Sequence, residues 1–182
     1  MAFINIEIKA RTKNAKYIRQ YLLDNKADFL GMDEQTDTYF NVPNGRLKLR
    51  EGNIENNLIF YSRNNQKGPK QSDFNLLPVS QPLVLKEILA IALGKKIVVQ
   101  KSREIYYIDN VKFHIDCIEG LGEFVEIEAG NKIKNLSVEN LTAQCDYYMI
   151  AFGILTEDLI DISYSDMQLK KTFGNELQSG TR

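Results

Sequence analysis

The chain of 182 residues has no tryptophan, one histidine, two cysteines and four prolines. A single histidine excludes zinc sites built from several imidazoles and most histidine-based nucleophile triads. Cys117 and Cys145 lack the close spacing of metal ligands and read as reduced thiols. An excess of charge of one sign is also missing: 23 basic residues face 24 acidic ones, for a net charge of −1. That balance gives no general attraction to nucleic acid or to an anionic membrane, so any anion site must come from local arrangement. No apolar run approaches the ~20 residues of a membrane-spanning helix. The opening MAFINIEIKAR is charged by its seventh residue, unlike a secretory signal. The expected setting is the cytoplasm.

What is present is a globular composition, 43% apolar, at a length that suits one domain with a full core. Period-two alternation predicts strands at Phe3 to Arg11, Gln35 to Val42, Arg46 to Arg50, Asn57 to Arg63, Lys95 to Ile108, Lys112 to Ile118 and Glu123 to Ala129. Helical spacing predicts Asn14 to Asn25, Ser80 to Leu93 and Ser137 to Phe152, with a short helix near Glu157. Turns are expected at Pro43-Asn44-Gly45, Asp109-Asn110 and Gly120-Leu121-Gly122, and a polar loop over Asn64 to Asp73. Strands in runs, joined by hairpins and broken by helices, argue for an α+β fold on antiparallel sheet. The domain is expected over residues 1–170, with a loose polar tail at 171–182.

The polar faces of these strands carry the functional signal. Glu7, Lys9 and Arg11 share a face, as do Arg46, Lys48 and Arg50. Arg63 ends the next strand, and Lys101 with Arg103, and Glu126 with Glu128, form further pairs. If these faces converge, they line a barrel with cations and several carboxylates. Packed positive charges repel one another unless a polyanion fills the space. Carboxylates beside them would hold a divalent metal that bridges to phosphate oxygens. Arginine adds forked bonds to phosphate and lysine a mobile charge. A phosphate chain carrying Mg²⁺ or Mn²⁺ is the ligand this chemistry suits. For any one pair, an outer, solvated face with surface ion pairs is the better explanation. The recurrence on nearly every strand weakens that alternative.

On these residues the sequence resembles the CYTH superfamily of triphosphate tunnel enzymes, which includes class IV adenylyl cyclases, thiamine triphosphatases and inorganic tripolyphosphatases. The family's Glu-x-Glu-x-Lys strand matches Asn5-Ile6-Glu7-Ile8-Lys9, and its Leu-Arg strand end matches Leu49-Arg50. Its later basic residue matches Arg63, and its Lys-x-Arg pair matches Lys101-Ser102-Arg103. The most specific block runs from Asp116 through Gly120-Leu121-Gly122 to Glu126-Ile127-Glu128, and Ser163-Tyr164 fits the cyclase-like branch. The resemblance implies a closed antiparallel eight-stranded β tunnel with flanking helices. It implies that Lys9, Arg50, Lys101 and Arg103 hold the triphosphate and carry the chemistry, joined in binding by Arg63, Arg11 and Lys48. Glu7, Asp116, Glu126 and Glu128 would be metal ligands or their supports. Asn5 stands where the family has a glutamate, which implies weaker metal binding there or one ion fewer.

The reaction expected first is conversion of ATP to cyclic AMP and pyrophosphate with a divalent metal. Hydrolysis of thiamine triphosphate or tripolyphosphate is the alternative, favoured by the serial Arg46, Lys48 and Arg50. A binding module without turnover, motivated by Asn5, is a third reading. The expected partner is a small-molecule triphosphate, with no nucleic acid and no membrane, and with faces left for a homodimer. His114, two residues before Asp116, reads either as a proton shuttle or as a hydrogen-bonded barrel histidine.

Overall fold

The computed structural model describes residues 4–62, 67–71, 73–132 and 135–179. Within them the strands are β1 (Asn5–Arg11), β2 (Asp28–Phe40), β3 (Arg46–Glu51), β4 (Asn57–Ser62), β5 (Lys70–Gln71), β6 (Asp73–Pro78), β7 (Lys95–Ile108), β8 (Val111–Ile118) and β9 (Gly122–Gly130). The helices are α1 (Ala15–Asp24), α2 (Pro82–Leu93), α3 (Val138–Ala151) and α4 (Tyr164–Ser179), with one 3-10 turn at Thr156–Asp158. The fold is α+β, as expected. Its strands form one antiparallel sheet in the order β5-β1-β9-β8-β7-β2-β3-β4-β6.

The sheet curls into a half-barrel of eight longer strands, with β5 as a two-residue ninth. Among the described residues the continuous ladder of a closed tunnel is not present. The reason lies in the chain. The two outermost strands, β5 and β6, are separated by one residue and so cannot pair with each other. Lys70 and Gln71 pair with Glu7 and Ile6, while Asp73 to Pro78 pairs with Ser62 to Asn57. One short stretch therefore serves both edges of the sheet.

Alternation decides which side is which. Ile6, Ile8 and Ala10 of β1 turn outward with Val125, Ile127 and Ala129 of β9 and Val111, Phe113 and Ile115 of β8. They pack against Ala15, Ile18 and Leu22 of α1 and Leu141, Cys145 and Phe152 of α3, forming the main core. α3 starts at Ser137, whose hydroxyl accepts from the Asn140 N–H at 3.3 Å. A second cluster lies at one end of the inner face, where Tyr39, Tyr61, Val99, Ile118 and Phe124 meet Tyr164 and Met167 of α4.

The hairpin at Asp109-Asn110 forms as expected, with Asp109 at φ 52°. β2 is much longer than its expected start at Gln35. A register shift between Phe29 and Gly31, with Gly31 at φ 139°, interrupts its alternation. β5 falls wholly, and β6 by its first residue Asp73, on the stretch expected to be loop. Gln81, not Ser80, occupies the N-cap of α2, with no side-chain cap bond. α4 continues through Ser179, across the segment expected as a loose tail from Lys171, which contains no proline to end a helix. No helix among the described residues is long and apolar enough to cross a membrane.

Candidate active site on the inner face

The polar alternates of the sheet meet on its inner side. At the centre stands Asp37 of β2. Its carboxylate accepts from Lys48 at 2.8 Å, from Lys101 at 2.8 Å and from Arg50 at 2.9 Å and 3.2 Å. β3 and β7 flank β2, and Arg50 lies directly across from Asp37 in the register. Burial alone would raise the Asp37 carboxyl. The charges of Arg50, Lys101 and Lys48 prevail and hold it well below the usual carboxylate range. Burial pushes Lys101 down to about 7, against the pull of Asp37 and with the help of Arg50 and Arg103.

A second knot lies on β7, β8 and β9. Arg103 grips Asp116 with two bonds of 2.6 Å and reaches Glu126 at 2.7 Å. Glu126 also pairs with Lys9 of β1, its direct cross-strand neighbour, at 2.8 Å. Burial opposes ionisation of Glu126, yet Lys9 and Arg103 keep it well below the normal range. The Tyr164 hydroxyl of α4 donates to Asp116 at 2.8 Å, and its ring lies 3.8 Å from the Lys9 ammonium. α4 thus seals one end of the inner face over the cations.

Toward the opposite end the lining becomes more solvent-accessible. The Asp116 side chain is fully buried, that of Glu126 is 11% exposed and that of Glu128 24%. Here His114 Nδ1 sits 3.1 Å from Glu126 and 3.5 Å from Glu128. Burial and Arg103 push His114 below its usual value, so the ring is neutral at pH 7. His114, Glu126 and Glu128 offer one ligand atom each within 4.8 Å of one another. His114 Nε2 is buried without a hydrogen-bond partner. Glu7 lies across the ladder from Glu128 and 3.8 Å from Lys70.

The loop after β3 completes this end. Asp33 accepts from the backbone N–H groups of Ile54 and Glu55 at 2.8 Å and 3.1 Å. The pair fixes Glu55, which binds Arg50 at 2.9 Å and Lys112 at 2.6 Å. Gly52 allows this close approach, since a Cβ there would stand 2.5 Å from the Asp33 carboxylate.

Of the residues expected from sequence, Lys9, Lys48, Arg50, Lys101, Arg103, Glu7, Asp116, Glu126 and Glu128 all lie on this inner face. Arg11 sits at its rim, exposed, donating to the Leu121 carbonyl at 2.7 Å and lying over the Phe124 ring. Arg63 lies outside the described residues. Asp116 is held by Arg103 and Tyr164, outside the group of three potential ligands. Sequence reasoning missed Asp37, Asp33, Glu55, Lys70 and Lys112. It also foresaw a wall of mostly positive charge. The inner face is instead nearly balanced, each cationic knot enclosing a carboxylate.

A CYTH domain model matches residues 4–143. No curated protein matches the sequence. Among solved structures, a protein of Pyrococcus horikoshii is 24% identical with a TM-score of 0.74, covering 89% of this chain and 98% of its own. A protein of Vibrio parahaemolyticus, provisionally named an adenylate cyclase, is 16% identical with a TM-score of 0.75, covering 92% and 99%. A Hippeastrum protein, provisionally named an adenylyl cyclase and described as having a dominant triphosphatase activity, is 14% identical with a TM-score of 0.62, covering 93% and 95%. These likenesses establish the fold, and the domain match spans most of the sequence: the chain belongs to the CYTH domain family.

Proposed function

We propose that this chain is a divalent-metal-dependent enzyme acting on the triphosphate of a small molecule, and that its reaction is conversion of ATP to cyclic AMP and pyrophosphate. One observation carries this reading. The inner face holds Arg50, Lys101 and Arg103 deep, while the group of His114, Glu126 and Glu128, its first two members equally buried, opens toward solvent through Glu128, whose side chain is 24% exposed. A triphosphate entering with its terminal phosphates first would set the β- and γ-phosphates among the cations. The α-phosphorus and nucleoside would then lie beside the carboxylates. Bond cleavage there releases the pyrophosphate that the cations already hold.

The donor set fits a hard divalent cation such as Mg²⁺ or Mn²⁺. Glu126 and Glu128 supply oxygens, His114 turns Nδ1 toward both of them, and Glu7 stands opposite Glu128. An ion held by these residues would supply Lewis acidity toward the phosphoryl group. Asn5, on the same strand face as Glu7, brings only an uncharged carbonyl. Among the protein's own groups, Arg50 and Arg103 orient phosphate oxygens by forked bonds, Lys9, Lys48 and Lys101 neutralise charge on the leaving group, and α4 excludes water at the sealed end. Asp37 and Glu126 already hold these cations, so a triphosphate must share or displace them, and a metal arriving with the substrate would offset the added negative charge. The stretch from Lys70 to Pro78, paired to both sheet edges, supports closure of the half-barrel into a tunnel around the substrate. A cytoplasmic setting suits a substrate of this kind.

Hydrolysis of a triphosphate is the second reading. The triphosphatase activity described for the Hippeastrum protein of like fold favours it. Phosphorus NMR after incubation with ATP, or with tripolyphosphate, and Mg²⁺ or Mn²⁺ separates the two. Cyclic AMP with pyrophosphate, absent in Glu126→Gln, supports the cyclase. Orthophosphate from tripolyphosphate, with ATP untouched, moves the assignment to a triphosphatase. Tight triphosphate binding with no product from either would mean that turnover has been lost.

A further inference from the structure

Glu55 reaches the inner face from the loop between β3 and β4, whereas Asp37, Asp116 and Glu126 stand on strands. Its two oxygens take different partners. Oε2 accepts from Arg50 Nη1 at 2.9 Å and from Gln35 Nε2 at 3.3 Å, and Oε1 accepts from Lys112 Nζ at 2.6 Å. Arg50 belongs to β3 and Lys112 to β8, with β2 and β7 between them in the sheet. The curl of the sheet brings these separated strands within reach of a single carboxylate, so Glu55 straps the concave side. The backbone beneath it is fixed. Asp33 accepts from the Ile54 and Glu55 N–H groups, and Asn56 exchanges two bonds with Gly52. The Glu55 side chain is more open, 17% exposed against 2% for that of Asp37. Asp37 holds Arg50 through Nε and Nη2. Nη1 and the Lys112 ammonium are the donors that Glu55 takes.

We infer that Arg50 and Lys112 form an anion subsite for the substrate phosphate nearest the organic group, and that Glu55 fills this subsite in the unliganded protein and is exchanged for that phosphate on binding. The inference rests on the triphosphate reading above and places one phosphate within it. A phosphate offers paired oxygens much as a carboxylate does, so it can replace Glu55 on the same two cations. Lys112 stands directly across from Glu128 in the β8–β9 register, which sets the subsite at the open end, where the organic group would lie. A carboxylate tethered beside its cations competes with every incoming anion at high effective concentration. Glu55 therefore lowers the affinity for the triphosphate and eases its release.

Calorimetric titration of the full chain with Mg²⁺ and the imido analogue of tripolyphosphate, whose P–N–P links resist hydrolysis, tests this. Glu55→Gln should bind the analogue roughly tenfold more tightly than the wild type, although its unliganded Tm falls. A purely structural role for Glu55 would lower Tm without tightening binding. In the Glu55→Gln background no competitor remains to be released. Adding Lys112→Gln there should weaken binding by about tenfold, through the lost phosphate contact. Equal or weaker binding by Glu55→Gln overturns the inference and leaves Glu55 a structural or metal-holding group. Indifference of the Glu55→Gln protein to Lys112→Gln also overturns it. Absence of binding by wild type and variants alike would reject the triphosphate reading itself, and this inference with it.

Discussion

Asp37 serves three cations at once, and that makes it the residue on which the inner face depends. Replacing it with asparagine would leave Lys48, Arg50 and Lys101 mutually repelling in a buried space. The expected cost is about 3–5 kcal/mol, the range for breaking a buried ion pair by removing one partner. Urea denaturation should show that loss, and added metal-tripolyphosphate should restore more stability to Asp37→Asn than to the wild type. Lys101 makes a second prediction. Its value of about 7 in the folded chain lies below the ordinary lysine value of 10.5. Between those values the unfolded chain binds more protons, so this group's contribution to the stability of the unliganded protein rises with pH across that window. Phosphate oxygens would pull the value back up, so triphosphate binding should take up a proton. Affinity should then fall as pH rises above 7, and calorimetry at pH 8 in buffers of different ionisation enthalpy would measure the uptake. Asp37 itself was hard to see in the sequence. The signal sought was two charges spaced by two, and Asp37 has Gln35 and Tyr39 at those positions. Its charged companion Asp33 lies in the part of β2 concealed by the irregularity at Gly31.

Elements differ in how openly the sequence declares them. β1, β8 and β9 bury one face against the core, β3 lays Leu49 beneath α2, and all four line the site with the other face, so two strong demands write a clean alternation. α3 announces its start through Ser137, and removal of that hydroxyl in Ser137→Ala should cost about 1 kcal/mol, read as a lowered Tm with the site intact. β5 and β6 declare little. They are short, lie at the sheet's edges, and one ends in proline. Their pairing depends on which edges lie within reach, and that is settled only when the whole sheet curls. The same holds for Glu55. It lies in a loop without periodicity, and its position depends on Asp33, some twenty residues earlier in the chain.

At the scale of the molecule, the core and the site occupy opposite sides of one sheet. The apolar layer beneath α1 and α3 needs no ion, and Glu126 is already neutralised by Lys9 and Arg103. Chelation with EDTA should therefore abolish turnover while leaving the circular dichroism spectrum unchanged and Tm within about 2 °C, less than the ~2–4 °C that 1 kcal/mol moves in a domain of this size. A fall in Tm of 10 °C would mean that the metal is part of the fold. The pairing of β1 with β9 has a further consequence, for biosynthesis. Of these nine strands β1 leaves the ribosome earliest, and it finds its long ladder partner only among residues 122–130. At ~5–20 residues per second, β1 waits on the order of ten seconds as an open edge, its isoleucines bare. Translation speed and early chaperone contact should thus govern the yield of this chain more than its final stability does.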